Sequence, residues 1–213
     1  MKEIKTDFRI RQAEVEDVAE ILLLIKELAV YEHLLDEVVA TEELLKETNM
    51  KEIKTDFRIR QAEVEDVAEI LLLIKELAVY EHLLDEVVAT EELLKETLFG
   101  INSPAEVQLA YSEGAILGFS LYFRTFSTFL ALPGIYLEDL YVRESARGRG
   151  VGEALLRQLA QRTLEIGGGR LEWAVLNWNE PAIGFYQKMG AAPLDEWTTY
   201  RVTGKNLQEL AEN

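Results

Sequence analysis

The sequence contains no cysteine. That absence excludes a disulfide framework, a thiol nucleophile and cysteine-ligated metal. Histidine is almost missing as well: of the 2 in 213 residues, one falls in each copy of a repeat, too few for a zinc site, and no metal is expected. His82 reads as a plain loop residue after a helix. Basic residues are scarce, 22 Lys and Arg against 39 Asp and Glu, for a formal net charge of −17. Such a charge disfavours nucleic acid and anionic membrane and suits a cationic partner. No stretch has the length of about 20 uninterrupted apolar residues that a membrane span needs. Neither Met1 nor Met50 opens a signal-peptide pattern, so a cytoplasmic protein is expected.

What is present is first a repetition. Met1–Thr48 recurs without one substitution as Met50–Thr97. Solenoid units diverge in sequence and stack three or more in series; two perfect copies followed by unrelated sequence do neither. An error-free repeat whose second copy opens with Met is expected of a recent duplication, an engineered tandem or an artefact. Residues 1–49 are therefore read as a surplus copy, and residues 50–213 as a single domain. The first copy holds 6 Lys/Arg and 13 Asp/Glu and so contributes −7 of the charge, leaving −10 for the rest.

Along the unique unit, "FRIRQA" (Phe57–Ala62) alternates as a half-buried strand does, and the acids Glu63, Glu65 and Asp66 lead into a helix. Ile70, Leu71, Ile74, Leu77 and Ala78 recur at helical spacing as far as about Tyr80. "TEEL" at Thr90 predicts a second capped helix with Leu93 and Leu94 facing inward. Two strands joined at Ser112-Glu113-Gly114 follow. After the loop "FLALPG" comes "IYLEDLYV" (Ile135–Val142), a central strand with two acids in its middle. A long helix through Leu155, Leu156, Leu159 and Leu164 ends at Gly167-Gly168-Gly169. "RLEWAVLNW" reads as a buried strand, "NEPAIGFYQKMG" as a short helix opened by Pro181, and "WTTYRVTG" as a last strand before a terminal helix. This order describes an α/β (α+β) domain with a mixed sheet and flanking helices.

The chemistry begins at Arg147-Gly148-Arg149-Gly150-Val151-Gly152. A glycine-rich turn between a strand and a helix N-terminus aims successive backbone N–H groups at an anion, phosphate above all. A Walker A loop would need a following Lys-Ser or Lys-Thr, and a dinucleotide fingerprint from Gly148 would need glycine or alanine where Glu153 stands; neither pattern is met.

The pattern that is met, [RQ]-x-x-G-x-[GA] filled by Arg147, Gly150 and Gly152, resembles that of the GNAT N-acetyltransferase superfamily. Read together, "LIKELAVYE", "YLEDLYV", "RGRGVG" and "WNEPAIGFYQKMGA" are similar to the spermidine/spermine and thialysine acetyltransferases over essentially all of Met50–Asn213. The resemblance implies a mostly antiparallel sheet whose central strand is bulged and splayed, with acetyl-CoA as donor and a primary amine as acceptor. It implies a cofactor site made by Leu140, Tyr141 and Val142 along the strand, by Arg147, Gly148, Arg149, Gly150, Val151, Gly152 and Glu153 in the turn, and by Asn179, Glu180, Pro181 and Ala182 opposite.

An alkyl amine of pKa about 10.4 must lose a proton before it can attack. Glu138 is the candidate base, with Asp139 its neighbour. Tyr186 corresponds to the family's general acid for the leaving sulfur. Tyr80-Glu81 and Asp195 would line the amine site, and of the duplicated pairs Tyr31-Glu32 and Tyr80-Glu81 the second is expected there. A homodimer is expected by the same resemblance. The alternatives are a protein or peptide N-acetyltransferase and a non-catalytic CoA-binding sensor or interaction module.

Overall fold

The computed structural model describes residues 15–31 and 56–212. Glu32 and the strand and second helix of the first copy lie outside them. The chain divides into two units, Met1–Arg58 and Ile59–Asn213. In the first, a 3₁₀ turn at Val15–Asp17 leads into helix α1 (Val18–Tyr31). Val18 and Leu22 of α1 are buried, while Leu23, Leu24, Leu28 and Val30 are exposed.

The remaining elements run in the order β1 (Arg58–Gln61), α2 (Val67–Tyr80), α3 (Glu91–Phe99), β2 (Glu106–Ser112), β3 (Ala115–Ser127), β4 (Leu132–Val142), α4 (Val151–Glu165), β5 (Arg170–Trp173), α5 (Glu180–Lys188) and α6 (Gly204–Glu212). The five strands make one sheet in sequence order. β2, β3 and β4 pair antiparallel, and β5 joins β4 in parallel. The sheet is mixed, as the element order predicts, and mostly antiparallel, as the resemblance implies.

Local chemistry explains several boundaries. The acids before α2 form a capped 3₁₀ turn in which Asp66 accepts the Glu63 N–H at 2.7 Å and pairs with Arg60 at 2.6 Å. Thr90 caps α3 by accepting the Leu93 N–H at 3.2 Å, one of the donors a helix start would leave unpaired. Helices α2 and α3 bury Ile70, Leu71, Leu73 and Leu94 with Val107, Leu109 and Phe119 of the sheet. A second core joins Tyr122, Ile135 and Leu137 to Leu156 and Leu159 of α4. Among the described residues no helix is long and apolar enough to cross a membrane.

Four expectations are corrected. "WTTYRVTG" is not a strand: Trp197 and Tyr200 are exposed, and strand propensity makes no strand without a neighbouring ladder. "RLEWAVLNW" pairs only over Arg170–Trp173 and then leaves the sheet. Part of the "FLALPG" loop is strand, because β4 begins at Leu132. Leu93 and Leu164 face solvent, since α3 and α4 each cover the sheet with a narrower stripe than the apolar spacing suggests.

Candidate active site

β4 carries the site, and its register shows how. Leu121 pairs with Asp139 and Tyr122 with Leu137, so Glu138 is an extra residue on β4 with no partner of its own. In a regular strand Glu138 and Asp139 would point to opposite faces; the bulge breaks that alternation. Leu137 is buried, Glu138 exposed and Asp139 half-buried. On the other side of β4 the pairing with β5 ends at Leu137 and Trp173. Leu140, Tyr141 and Val142 thus pair with β3 alone, and their edge toward β5 is open.

Three titratable groups gather where the strands part. Burial, then the charges of Glu138 and Glu81, push the Asp139 carboxyl up to about 6. Glu81, the half-buried C-cap residue of α2, is also raised by burial. Burial and then the Glu81 charge push the Tyr186 phenol up to about 12. The Tyr186 ring lies 4.8 Å from that of Trp173 at the end of β5 and 5.2 Å from that of Phe185. The structure therefore brings Glu81, Asp139 and Tyr186 into one electrostatic group.

Asn179, buried at the N-cap of α5, accepts the Ala182 N–H at 3.3 Å and the Tyr80 hydroxyl at 3.1 Å. Glu180 and Pro181 are exposed beside it and Ala182 is half-buried. Asp195 lies on the exposed stretch between α5 and α6.

Beyond Val142 a 3₁₀ turn (Glu144–Ala146) leads to the glycine turn. Gly148 and Gly150 have φ of 74° and 80°, left-handed values that glycine adopts without strain. Gly150 is the N-cap of α4 and supplies no side chain to the first turn, which leaves backbone N–H groups at a positive helix end for an anion. A Cβ at Gly152 would meet Val142 Cγ2 at 3.6 Å and Phe185 Cζ at 3.9 Å. These are ordinary contacts, so protein packing alone does not require glycine there. Val151 is buried, Arg149 is exposed, and Glu153 pairs with Arg157 at 2.8 Å. The Arg147 side chain folds back, its Nε donating to the Val142 carbonyl at 3.1 Å.

Sequence reasoning missed three residues that hold this arrangement. Arg143 pairs with Glu69 and Glu76, each at 2.9 Å, and donates to the Ile116 carbonyl, fixing α2 to the end of β4. The signal was two glutamates seven apart on one helix face. Trp178 stands 6.0 Å from the Tyr80 ring and 5.9 Å from His82. His82 is more than a loop residue: at φ 61° it ends α2 in the left-handed conformation.

A family model described as the Acetyltransferase (GNAT) family matches residues 66–191. The chain is 38% identical to thialysine N-epsilon-acetyltransferase of Bos taurus over 205 residues, 95% of this chain and 96% of that one. It is 41% identical to L-ornithine N5-acetyltransferase of Arabidopsis thaliana over 99 residues, which are 46% of this chain and 43% of the plant protein. Among solved structures, an integron cassette protein from the mobile metagenome of V. cholerae matches with a TM-score of 0.64 at 28% identity, covering 74% of this chain and 99% of that one.

Proposed function

The chain belongs to the GNAT acetyltransferase family, and from that premise we propose that it moves an acetyl group from acetyl-CoA directly to a primary amine of a small diamine, polyamine or lysine-like molecule. The observation that carries this reading is the parting of β4 from β5 after Leu137 and Trp173, beside Glu81, Asp139 and Tyr186. A pantetheine arm pairs with the open edge of Leu140, Tyr141 and Val142 as an added strand would. Its pyrophosphate meets the backbone N–H groups from Arg147 to Glu153, and Asn179 to Ala182 close the other side. The charged-group distribution supports a cationic acceptor: Glu81, Glu138 and Asp139 converge, and among the described residues no Lys or Arg perturbs Asp139 or Tyr186.

In the reaction the ammonium gives its proton to the Glu138–Asp139 pair. Asp139 is the member whose raised proton affinity suits a base near neutral pH. Glu138, expected from the sequence to be the base, is solvent-exposed and contributes its negative charge to Asp139. The free amine attacks the thioester carbonyl, the C–S bond breaks, the sulfur leaves as thiolate, and the second nitrogen proton passes to solvent to leave the neutral amide. Tyr186 stays protonated at neutral pH and donates a hydrogen bond to that sulfur as charge develops. A phenol at about 12 would give its proton fully to a thiolate of ordinary pKa, about 8.5, only uphill. Its contribution is thus charge stabilisation in the transition state.

The acetyltransferase resides in residues 50–213, with residues 1–49 surplus, and it works as a cytoplasmic homodimer. Thiol release from acetyl-CoA over a panel of diamines, polyamines, lysine analogues and peptides tests the reading. Faster release with small diamines or lysine analogues than with peptides supports it, and no release above buffer with any amine overturns it. A chain starting at Met50 is expected to match the full chain in rate.

A further inference from the structure

The end of α2 is tied to the rest of the site through one phenol. Tyr80, its last residue, donates its hydroxyl hydrogen to Asn179 Oδ1 at 3.1 Å. The same oxygen receives the Ala182 N–H at 3.3 Å, so a single buried acceptor joins α2 to the first turn of α5. On the ring face of Tyr80 lies the Arg147 guanidinium, 5.0 Å from the centroid. That guanidinium is itself held to the end of β4 by its bond to the Val142 carbonyl. Trp178 contacts both Tyr80 and His82, and the Leu83 N–H closes the helix on the Ala78 carbonyl at 2.8 Å. His82 just beyond the helix is left-handed, a conformation uncommon for a non-glycine residue.

Tyr186 follows Asn179 by seven residues, two helical turns, and so stands on the same face of α5. Whatever fixes Asn179 fixes the base of the helix that presents the Tyr186 phenol. We propose that Tyr80 is a positioning residue for acetyl transfer: its hydroxyl locks the Asn179 cap that aims Tyr186, and its ring seats Arg147 against the end of β4. This rests on the acetyltransferase reading above. It replaces direct amine contact as the role of Tyr80 and leaves that contact to Glu81, the next residue. The Tyr80 hydroxyl is committed as a donor to Asn179, and the charged acceptor beside it for an ammonium is the Glu81 carboxylate.

The test is made in the full chain with Tyr80→Phe, Tyr31→Phe, the pair together, Asn179→Ala, Tyr80→Phe with Asn179→Ala, and Tyr80→Leu. Two readouts are taken. Amide hydrogen exchange at Ala182 and Ile183, which needs no substrate, is expected to quicken about tenfold in Tyr80→Phe, the change one lost hydrogen bond produces. In steady-state assays Tyr80→Phe is expected to lower kcat about tenfold with the amine KM within about twofold. Asn179→Ala combined with Tyr80→Phe is expected to be no slower than Asn179→Ala alone, since both break one path. Tyr80→Leu, which also removes the ring, is expected to raise the acetyl-CoA KM, and Tyr31→Phe to match the parent. Unchanged exchange at Ala182 in Tyr80→Phe overturns the proposal. So does a raised amine KM with kcat retained, which would return Tyr80 to amine contact. If the parent chain acetylates no amine, the functional reading fails on its own, and the exchange measurement alone decides whether Tyr80 locks α5.

Discussion

Leu137 and Trp173 are the last residues at which β4 and β5 pair, and Glu138 follows at once as the unpaired residue opposite Leu121 and Tyr122. One residue of extra chain thus coincides with the point where the sheet opens. If the open edge of β4 accepts the pantetheine arm, adding CoA slows amide exchange over residues 140–142 and 148–153. β2, paired along its length with β3, shows no change. Hydrogen exchange with and without CoA reads this, and unaltered exchange over residues 140–142 removes the strand-like contact.

The pH dependence should follow Asp139. With its carboxyl at about 6, kcat at saturating amine is expected to fall about tenfold per unit as the pH drops below that value, because the base becomes protonated. Glu138→Gln removes a neighbouring negative charge, so the inflection moves to lower pH. Asp139→Asn removes the inflection and most of the rate. Loss of rate in Glu138→Gln with Asp139→Asn still active would make Glu138 the base.

Stability should move the other way. The folded Asp139 holds its proton to about 6 against 3.8 in an unperturbed chain, so the folded state binds the extra proton between those values. Its stabilising effect is full below about pH 4 and lost as the pH rises through 6. At pH 7 the charged carboxylate is a liability, and Asp139→Asn is expected to raise the unfolding free energy by about 1–3 kcal/mol. Urea unfolding at pH 7 and pH 4 measures it; the gain should vanish at pH 4.

Tyr186→Phe keeps the ring beside Trp173 and removes only the hydroxyl. Turnover is expected to drop about a hundredfold, the scale of one lost transition-state donor, with acetyl-CoA affinity unchanged by calorimetry. Equal turnover would take Tyr186 out of the reaction.

Much of this fold is legible because it is local. The spacing of Ile70, Leu71, Ile74 and Leu77 specifies a helix wherever it packs, and Thr90 needs only its own next three residues to cap α3. What is not legible depends on partners far along the chain. Leu93 and Leu164 sit at apolar positions, but exposure is decided by how much sheet lies beneath them. "WTTYRVTG" carries strand-forming residues whose state is set by whether a ladder is within reach. The two acids in "IYLEDLYV" mark the strand as unusual, yet nothing in that stretch says which is buried, because the bulge depends on register with Leu121 and Tyr122. Likewise the Tyr80 and Asn179 side chains meet across 99 residues of sequence, a separation at which residue patterns carry no pairing information.

The fourteen residues VAEILLLIKELAVY occur twice, as α1 and as α2, and identical sequence means identical intrinsic helix propensity. Leu73 is fully buried, whereas its counterpart Leu24 is 58% exposed. The molecule therefore contains its own reference state: residue-resolved exchange rates compared between the two helices would measure, in one sample and one buffer, how much of a helix's persistence its neighbours supply.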